Sequence, residues 1–369
     1  MAELYIGLMS GTSLDGVDGV LVDLSTLKLN ILASATQAFT AEFRLELLAL
    51  NSPSHNELHR AALAGNQLAS IYAQVVAKLL LQANLNAADI IAIGAHGQTV
   101  RHQPQQADNN SYTLQLNNPA LLAEHTRIDV VADFRSRDVA AGGHGAPLVP
   151  AFHQSVFGTA GITMLVLNIG GISNLSVVPA QGDVTGFDCG PGNALMDGWC
   201  HQNTGQAFDK DGAWAASGQL IEPLLTSLLD EPYFAKAPPK SCGRDLFSLD
   251  WLAAKLAPFA KAKPQDIQYT LTELTSSSCI TGASSYINNS NELLVCGGGA
   301  FNTHLMQRLQ AGLPSLRVMP SSAKGLAPLQ VEAAAFAWLA RQTVNRLPGN
   351  LPSVTGAAGL RVLGAVYPA

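Results

Sequence analysis

Charge is scarce in this 369-residue chain: Asp, Glu, Lys and Arg make up 13% of it, about half the usual share of roughly 25%. That excludes long charged runs and the disorder they bring. Lys and Arg number 21 against 27 Asp and Glu, a formal charge of −6. No global basic field therefore draws the chain to nucleic acid or to an anionic bilayer. No stretch approaches the roughly 20 apolar residues of a membrane span; even Ile162–Ile169 is interrupted by Thr163 and Asn168. The opening Met1-Ala2-Glu3-Leu4-Tyr5-Ile6-Gly7 lacks the basic-then-apolar build of a secretory leader. The five cysteines (Cys189, Cys200, Cys242, Cys279 and Cys296) are scattered, with no C-x-x-C pair. They offer no zinc site and fit reduced thiols in a cytoplasm. The expectation is a soluble cytoplasmic protein with neither nucleic acid nor membrane as partner.

Missing motifs narrow the chemistry further. There is no G-x-x-x-x-G-K-[ST], and no Gly-Lys dipeptide at all, which excludes a P-loop. No G-x-G-x-x-G opens a helix after an early strand, which argues against a dinucleotide-binding dehydrogenase. No G-x-S-x-G elbow supports an α/β-hydrolase. What the chain does have is length for about two domains, each with its own core. It also has 47% hydrophobic residues and 33 glycines.

Short runs rich in Val and Ile alternate with Ala- and Leu-rich helical patterns, the mark of an α/β fold. Strands are predicted over Leu4–Met9, Gly19–Val22, Ile90–Ala95, Ile128–Ala132, Thr163–Leu167, Ser173–Val178 and Leu293–Cys296. Helices are predicted over Glu57–Gln82, Asn193–Asn203, Leu271–Asn288 and Val331–Val344, with Pro328 just before the last. Two segments share one design: Ile6 to Ser13 with the strand after it, and Leu165 to Ser176, each reading strand, small polar turn, strand. Two related halves would leave such a recurrence, although any two hairpins carry polar, glycine-bearing turns. The boundary is expected between Arg137 and Pro150, giving lobes 1–140 and 141–369, with the C-terminal tail free to return to the first.

Glycines gather at the ends of the predicted strands: Gly11, Gly97, Gly170 with Gly171, and Gly297 to Gly299. Ligands of open α/β folds bind there. Glycine lets backbone N–H groups approach phosphate oxygens, and Thr12, Ser13, Ser173 and Asn174 add donors. The recurrence favours a nucleotide site over simple tight turns. Asp188 stands between an apolar residue and the turn Gly190-Pro191-Gly192 that enters a helix. It is either a general base beside a transferred phosphoryl group or a brace for the turn. In Asp133-Phe134-Arg135-Ser136-Arg137-Asp138, an arginine can clamp a carboxylate or phosphate, or pair with its neighbouring aspartates. Glu332, in the first turn of the last helix, reads as favourable charge at a helix N-terminus.

Several blocks together carry a resemblance. Gly7 to Asp18, Ala95 to His102, Asp133 to Gly143, Asn168 to Asn174, Phe187 to Asn193, Cys296 to Asn302 and Pro352 to Ala357 closely resemble the anhydro-N-acetylmuramic acid kinases, over essentially the whole chain. The resemblance implies an actin-like ATPase (ribonuclease H-like) fold, with two related α/β lobes flanking a nucleotide and sugar cleft. It implies ATP held by Gly11, Thr12, Ser13, Leu14, Asp15, Gly16, Val17 and Asp18 in a first phosphate loop. Asn168, Gly170, Gly171 and Asn174 would form a second, and Gly297, Gly298, Gly299 and Asn302 would lie against the adenosine. Asp188 becomes the catalytic base and Glu332 its partner in positioning water. Gln98 and Thr99 are assigned to the sugar, and Arg135 rather than Arg137 to its lactyl carboxylate. Much of the superfamily carries a metal-organising Asp two positions before the first-loop Gly-Thr pair. Here that place is taken by Met9, which leaves Asp15 and Asp18 as candidates for Mg²⁺.

The implied reaction joins two steps. In a 1,6-anhydro sugar O6 is tied to C1 and is not a free hydroxyl. Water must attack C1 while O6 leaves and takes the γ-phosphoryl group of ATP, giving N-acetylmuramic acid 6-phosphate and ADP in peptidoglycan recycling. A homodimer is also implied. The competing expectation is an ordinary amino-sugar kinase acting on a free hydroxyl.

Overall fold

Apolar runs long enough to be buried on both faces set the centre of each sheet. The computed structural model describes residues 2–11, 13–26, 29–104, 110–238, 240–243 and 246–369. In the first half of the chain β1 (Leu4–Met9) is buried from end to end and pairs antiparallel with β2 (Gly16–Asp23), which pairs antiparallel with β3 (Asn30–Ala38). On its other side β1 pairs parallel with β4 (Ala92–Ala95). A separate hairpin follows, β5 (Gln98–Gln103) with β6 (Tyr112–Leu116), and then β7 (Val130–Ala132) adds parallel to β4. The helix Glu57–Ala83 presents Leu68, Tyr72, Val75, Val76 and Leu79 to this core. Burying such a stripe supplies most of a helix's stability in a folded domain.

The second sheet repeats the plan. Fully buried β8 (Met164–Ile169) pairs antiparallel with β9 (Ile172–Val178), and β9 pairs antiparallel with β10 (Thr185–Pro191). β11 (Glu292–Cys296) runs parallel to β8, and β12 (Arg317–Pro320) parallel to β11. Numbered by order within each sheet, the first five strands of each therefore run third-second-first-fourth-fifth, with the same pattern of parallel and antiparallel pairs. This is the duplicated actin-like ATPase (ribonuclease H-like) α/β fold. The helix Pro264–Ser284 covers the second core with Ile267, Leu271 and Leu274, opening on proline where a helix has no use for the N–H.

The C-terminus completes the first sheet. β13 (Ala365–Tyr367) pairs antiparallel with β7. The chain divides into Met1–Val156 with Leu329–Ala369, and Phe157–Pro328. The division thus falls at Val156/Phe157, not at 140/141, because one buried carboxylate ties residues on both sides of 140 to the returning tail. Asp138 Oδ2 accepts from Gly145 N (2.8 Å), and Oδ1 accepts from Asn350 Nδ2 (2.7 Å) and Thr355 Oγ1 (2.8 Å). The helix Val331–Val344 buries Ala333, Ala334, Ala335, Ala337 and Ala340. Such small side chains let it lie close on β1: a Cβ added at Gly7 would stand 1.8 Å from Ala333 O. That contact fixes the height of Glu332, one residue earlier. Among the described residues no helix is long and apolar enough to cross a membrane, and all five cysteines are thiols.

Candidate functional site

In the first unit the turn between β1 and β2 is held from beneath by buried side chains. Ser10 Oγ donates to Gly97 O (2.9 Å), Gly97 N donates to the Tyr72 hydroxyl (3.0 Å), and Tyr72 lies 3.1 Å from Ser10 Oγ. With the serine proton committed to Gly97, the tyrosine proton points to Ser10. Gln98 Nε2 donates to Gly11 O (3.1 Å), while its buried Oε1 has no partner. Gln98 and Thr99 therefore begin β5, and the Gln98 amide braces the turn through one of its two ends. Thr99 Oγ1 accepts from Gln115 Nε2 (3.2 Å). Further round the turn, Ser13 Oγ donates to Asp15 Oδ1 (2.7 Å) and buried Leu14 takes a left-handed φ of 57°. Thr12 lies outside the described residues.

Arg135 and three carboxylates belong to the same unit. Arg135 is partly buried and donates through Nη1 to Gly145 O (2.8 Å), and through Nε (3.2 Å) and Nη2 (2.9 Å) to His96 Nε2. Burial lowers its pKa to about 10, opposed by the carboxylates of Glu332 and Asp138. Arg137 lies exposed on the helix Ser136–Ala140. Burial, with Asp15 nearby, pushes Asp18 up to about 6. Glu332 is raised as well: burial is the largest cause, Asp18 and Asp15 add to it, and Arg135 opposes it. Glu332 thus faces a cation and two anions, a setting that its place in a helix's first turn does not disclose.

In the second unit the equivalent turn is two glycines, Gly170 and Gly171, held by main chain. Asn193 N donates to Gly170 O (2.7 Å), and Gly192 N (2.9 Å) and Ala194 N (3.2 Å) donate to Gly171 O. Asn193 Nδ2 adds a bond to Ile169 O (3.0 Å). The turn before the helix Asn193–Thr204 is fastened in its own right: Thr275 Oγ1 lies 3.1 and 3.0 Å from Pro191 O and Gly192 O, and Ser173 Oγ donates to Gly190 O (3.1 Å). The Gly297–Gly299 loop lies on the end of β8, where a Cβ on Gly299 would meet Ile169 Cγ2 at 2.4 Å. Asn302 caps the helix Thr303–Gly312 by accepting from Leu305 N (2.9 Å).

Asn168, Asn174 and Asp188 are paired directly across β8, β9 and β10. Directly opposed residues share a face of an antiparallel sheet, so the three form one polar row. A β-bulge at Cys189 follows Asp188 and ends the regular ladder, as bulges often do beside active sites. The Asp188 backbone is fixed at both ends, its N–H to Lys240 O (3.0 Å) and its C=O from the Tyr233 hydroxyl (2.8 Å). Its carboxylate accepts from Cys242 N (2.9 Å), and burial outweighs that bond to push it up to about 6. A carboxylate so tuned is ionised at neutral pH yet basic enough to take a proton.

Among the described residues no three His, Cys, Asp or Glu side chains converge as a metal cage. Mg²⁺ needs none: it is commonly held by one or two carboxylates with substrate phosphates and water. Asp15 and Asp18, mutually repelling oxygen donors beside the glycine turn, fit that mode.

A family model described as anhydro-N-acetylmuramic acid kinase matches residues 3–369. The chain is 62% identical over 372 residues to the protein of that name from Variovorax paradoxus, covering 100% of this chain and 99% of that one. It is 61% identical over 389 residues to the one from Albidiferax ferrireducens, covering 100% of each. Among solved structures, the activator of 2-hydroxyisocaproyl-CoA dehydratase from Clostridium difficile with bound ADPNP is similar with a TM-score of 0.46 at 13% identity, over 94% of this chain and 96% of that one.

Proposed function

The chain belongs to the anhydro-N-acetylmuramic acid kinase family and is a phosphotransferase, and from that premise we propose that it opens 1,6-anhydro-N-acetylmuramic acid with water while phosphorylating O6 from ATP. The observation that carries this reading is the family match from residue 3 to residue 369. The partly buried carboxyl of Asp188, lifted to about 6, is its chemical counterpart. In the proposed reaction Asp188 takes a proton from water, whose oxygen bonds to C1 as the C1–O6 bond breaks. O6 takes the γ-phosphoryl group and the bond to the β-phosphate oxygen breaks, releasing ADP. Both bond-breaking events favour the forward direction.

The first unit supplies recognition. Arg135 is assigned to the lactyl carboxylate, as a planar donor fork suited to it. Glu332 orients the water, and Gln98 and Thr99 are assigned to the sugar; the free Oε1 of Gln98 accepts a hydroxyl or amide proton. Gly11 to Asp18, with Asn168, Gly170, Gly171 and Asn174, are assigned to the phosphates, and Gly297 to Gly299 with Asn302 to the adenosine. Mg²⁺ at Asp15 or Asp18 would offset phosphate charge. The substrates place the reaction in the cytoplasm, where ATP is available.

Phosphoryl transfer from ATP should be measured with the anhydro sugar, with N-acetylmuramic acid and with N-acetylglucosamine, in ¹⁸O-water. The expected result is turnover of the anhydro sugar with early label at the anomeric oxygen, timed against spontaneous anomer exchange. Unlabelled product at early times, or preference for a sugar with a free C6 hydroxyl, overturns the reading.

A further inference from the structure

His96 is a buried imidazole with both nitrogens committed, and neither commitment is local in sequence. Its Nδ1 lies 3.2 Å from Ser10 O, the carbonyl that opens the first glycine turn. Its Nε2 receives two N–H groups of Arg135, Nε at 3.2 Å and Nη2 at 2.9 Å. An arginine has no lone pair to offer, so Nε2 is the acceptor and the ring proton sits on Nδ1, directed at Ser10 O. The ring packs on Phe336 at a centroid distance of 4.7 Å, which stops it from swinging. Phe336 lies one helical turn beyond Glu332 on the helix Val331–Val344.

The consequence falls on Arg135. Its guanidinium has five N–H donors in a rigid plane. Gly145 O takes one from Nη1, and His96 takes the Nε and one Nη2 hydrogen. One hydrogen on each terminal nitrogen is left over for the fork that a carboxylate accepts. A charged partner in place of His96 would compete for that fork. A histidine held neutral does not, and burial with Arg135 beside it lowers the imidazole to about 3.

We propose that His96 is the positioning residue that sets the plane of Arg135 for the substrate carboxylate and fastens that plane to the Ser10 carbonyl of the first turn. The assignment rests on Arg135 as the carboxylate's partner in the reading above. His96 touches no reacting atom and acts through Arg135.

Two substitutions separate the two nitrogens. His96→Gln can place an amide oxygen near Nε2, keeping an acceptor for Arg135. His96→Asn can place its amide N–H near Nδ1, keeping the donor to Ser10 O and losing the acceptor. Steady-state kinetics with 1,6-anhydro-N-acetylmuramic acid and ATP, with thermal unfolding as a check on folding, are read for KM and kcat separately. Expected for His96→Asn is a sugar KM raised about tenfold or more, the size of losing a hydrogen bond to a charged group, with the KM for ATP within twofold. His96→Gln is expected to recover most of the sugar KM. The proposal is overturned if His96→Asn leaves the sugar KM unchanged, if both KM values rise together, or if Gln is no better than Asn. Arg135→Gln separates the two levels: an unchanged sugar KM there removes Arg135 as the carboxylate's partner, whatever His96 does.

Discussion

The two sheets share a strand order and differ in how each holds its first turn. In the first unit the turn after β1 spans Ser10 to Asp15 and hangs on side chains: Ser10, Tyr72, His96 and Gln98, drawn from three separate stretches of chain. In the second the turn after β8 is Gly170 and Gly171 alone, and main-chain N–H groups of residues 192–194 hold it. Charge divides along the same line. The first unit gathers Arg135, Asp15, Asp18 and Glu332, whereas the polar row of the second carries one carboxylate, Asp188, among two amides. Under the proposed function, this repeated frame serves recognition by side chains in the first unit and proton transfer on a main-chain scaffold in the second.

The largest expected effect tests the second half of that division. Asp188→Asn keeps the shape of the side chain and its bond from Cys242 N while abolishing its basicity. We expect kcat to fall about a thousandfold, with KM values for ATP and sugar little changed. Near-normal turnover would remove Asp188 as the base. The wild-type pH profile reads the same group. Asp188 must be ionised to accept a proton, and its pKa stands at about 6. Accordingly kcat/KM should be level above about pH 6 and fall about tenfold per unit below it. A limb near pH 4 would mean an exposed, ordinary carboxylate.

A pair of glycine substitutions comes next. Gly7→Ala puts a methyl group 1.8 Å from Ala333 O, against backbone that cannot give way. A loss of about 3 kcal/mol in unfolding free energy is expected, measured by urea denaturation, because the helix bearing Glu332 must lift off β1. At Gly170 a Cβ would meet nothing nearer than Ile172 O at 3.7 Å. Gly170→Ala should therefore keep its stability within about 0.5 kcal/mol and raise the KM for ATP about tenfold by crowding the phosphates. An unchanged KM would make Gly170 a turn residue and no more.

Much of this frame was legible from sequence, and the exceptions share a cause. β1, β8 and β11 announce themselves as continuous apolar runs because both faces are covered. β3, whose burial alternates along an edge, and β10, with its Gly-Pro ending, carry no such run and were not predicted. Nor were the β5–β6 hairpin, β12 and β13, which are short or half-exposed. The helix expected over Leu271–Asn288 runs instead from Pro264 to Ser284; Pro264 and Asp266 were available signals for its start. At the site, Asp188 stood out beside its Gly-Pro-Gly turn. The surroundings of Glu332 and the bonds of His96 are tertiary. His96 meets partners 86 and 39 residues away, and no local spacing encodes such contacts.

The smallest effects test the two ways of holding a turn. Tyr72 is fully buried, and its hydroxyl serves both Gly97 N and Ser10. Tyr72→Phe leaves the Gly97 N–H without that acceptor in a dry place, at a cost of about 2 kcal/mol. In the second unit the matching side-chain tie is Asn193 Nδ2 to Ile169 O, partly buried. Asn193→Ala removes it, but the bonds from the backbone N–H groups of residues 192, 193 and 194 to Gly170 and Gly171 remain. That loss should be about 0.5–1 kcal/mol, so thermal unfolding should separate the two variants clearly. Equal losses would mean that the Asn193 side chain, and not the main chain, holds the glycine pair, and the contrast between the turns would have to be redrawn as one of length alone.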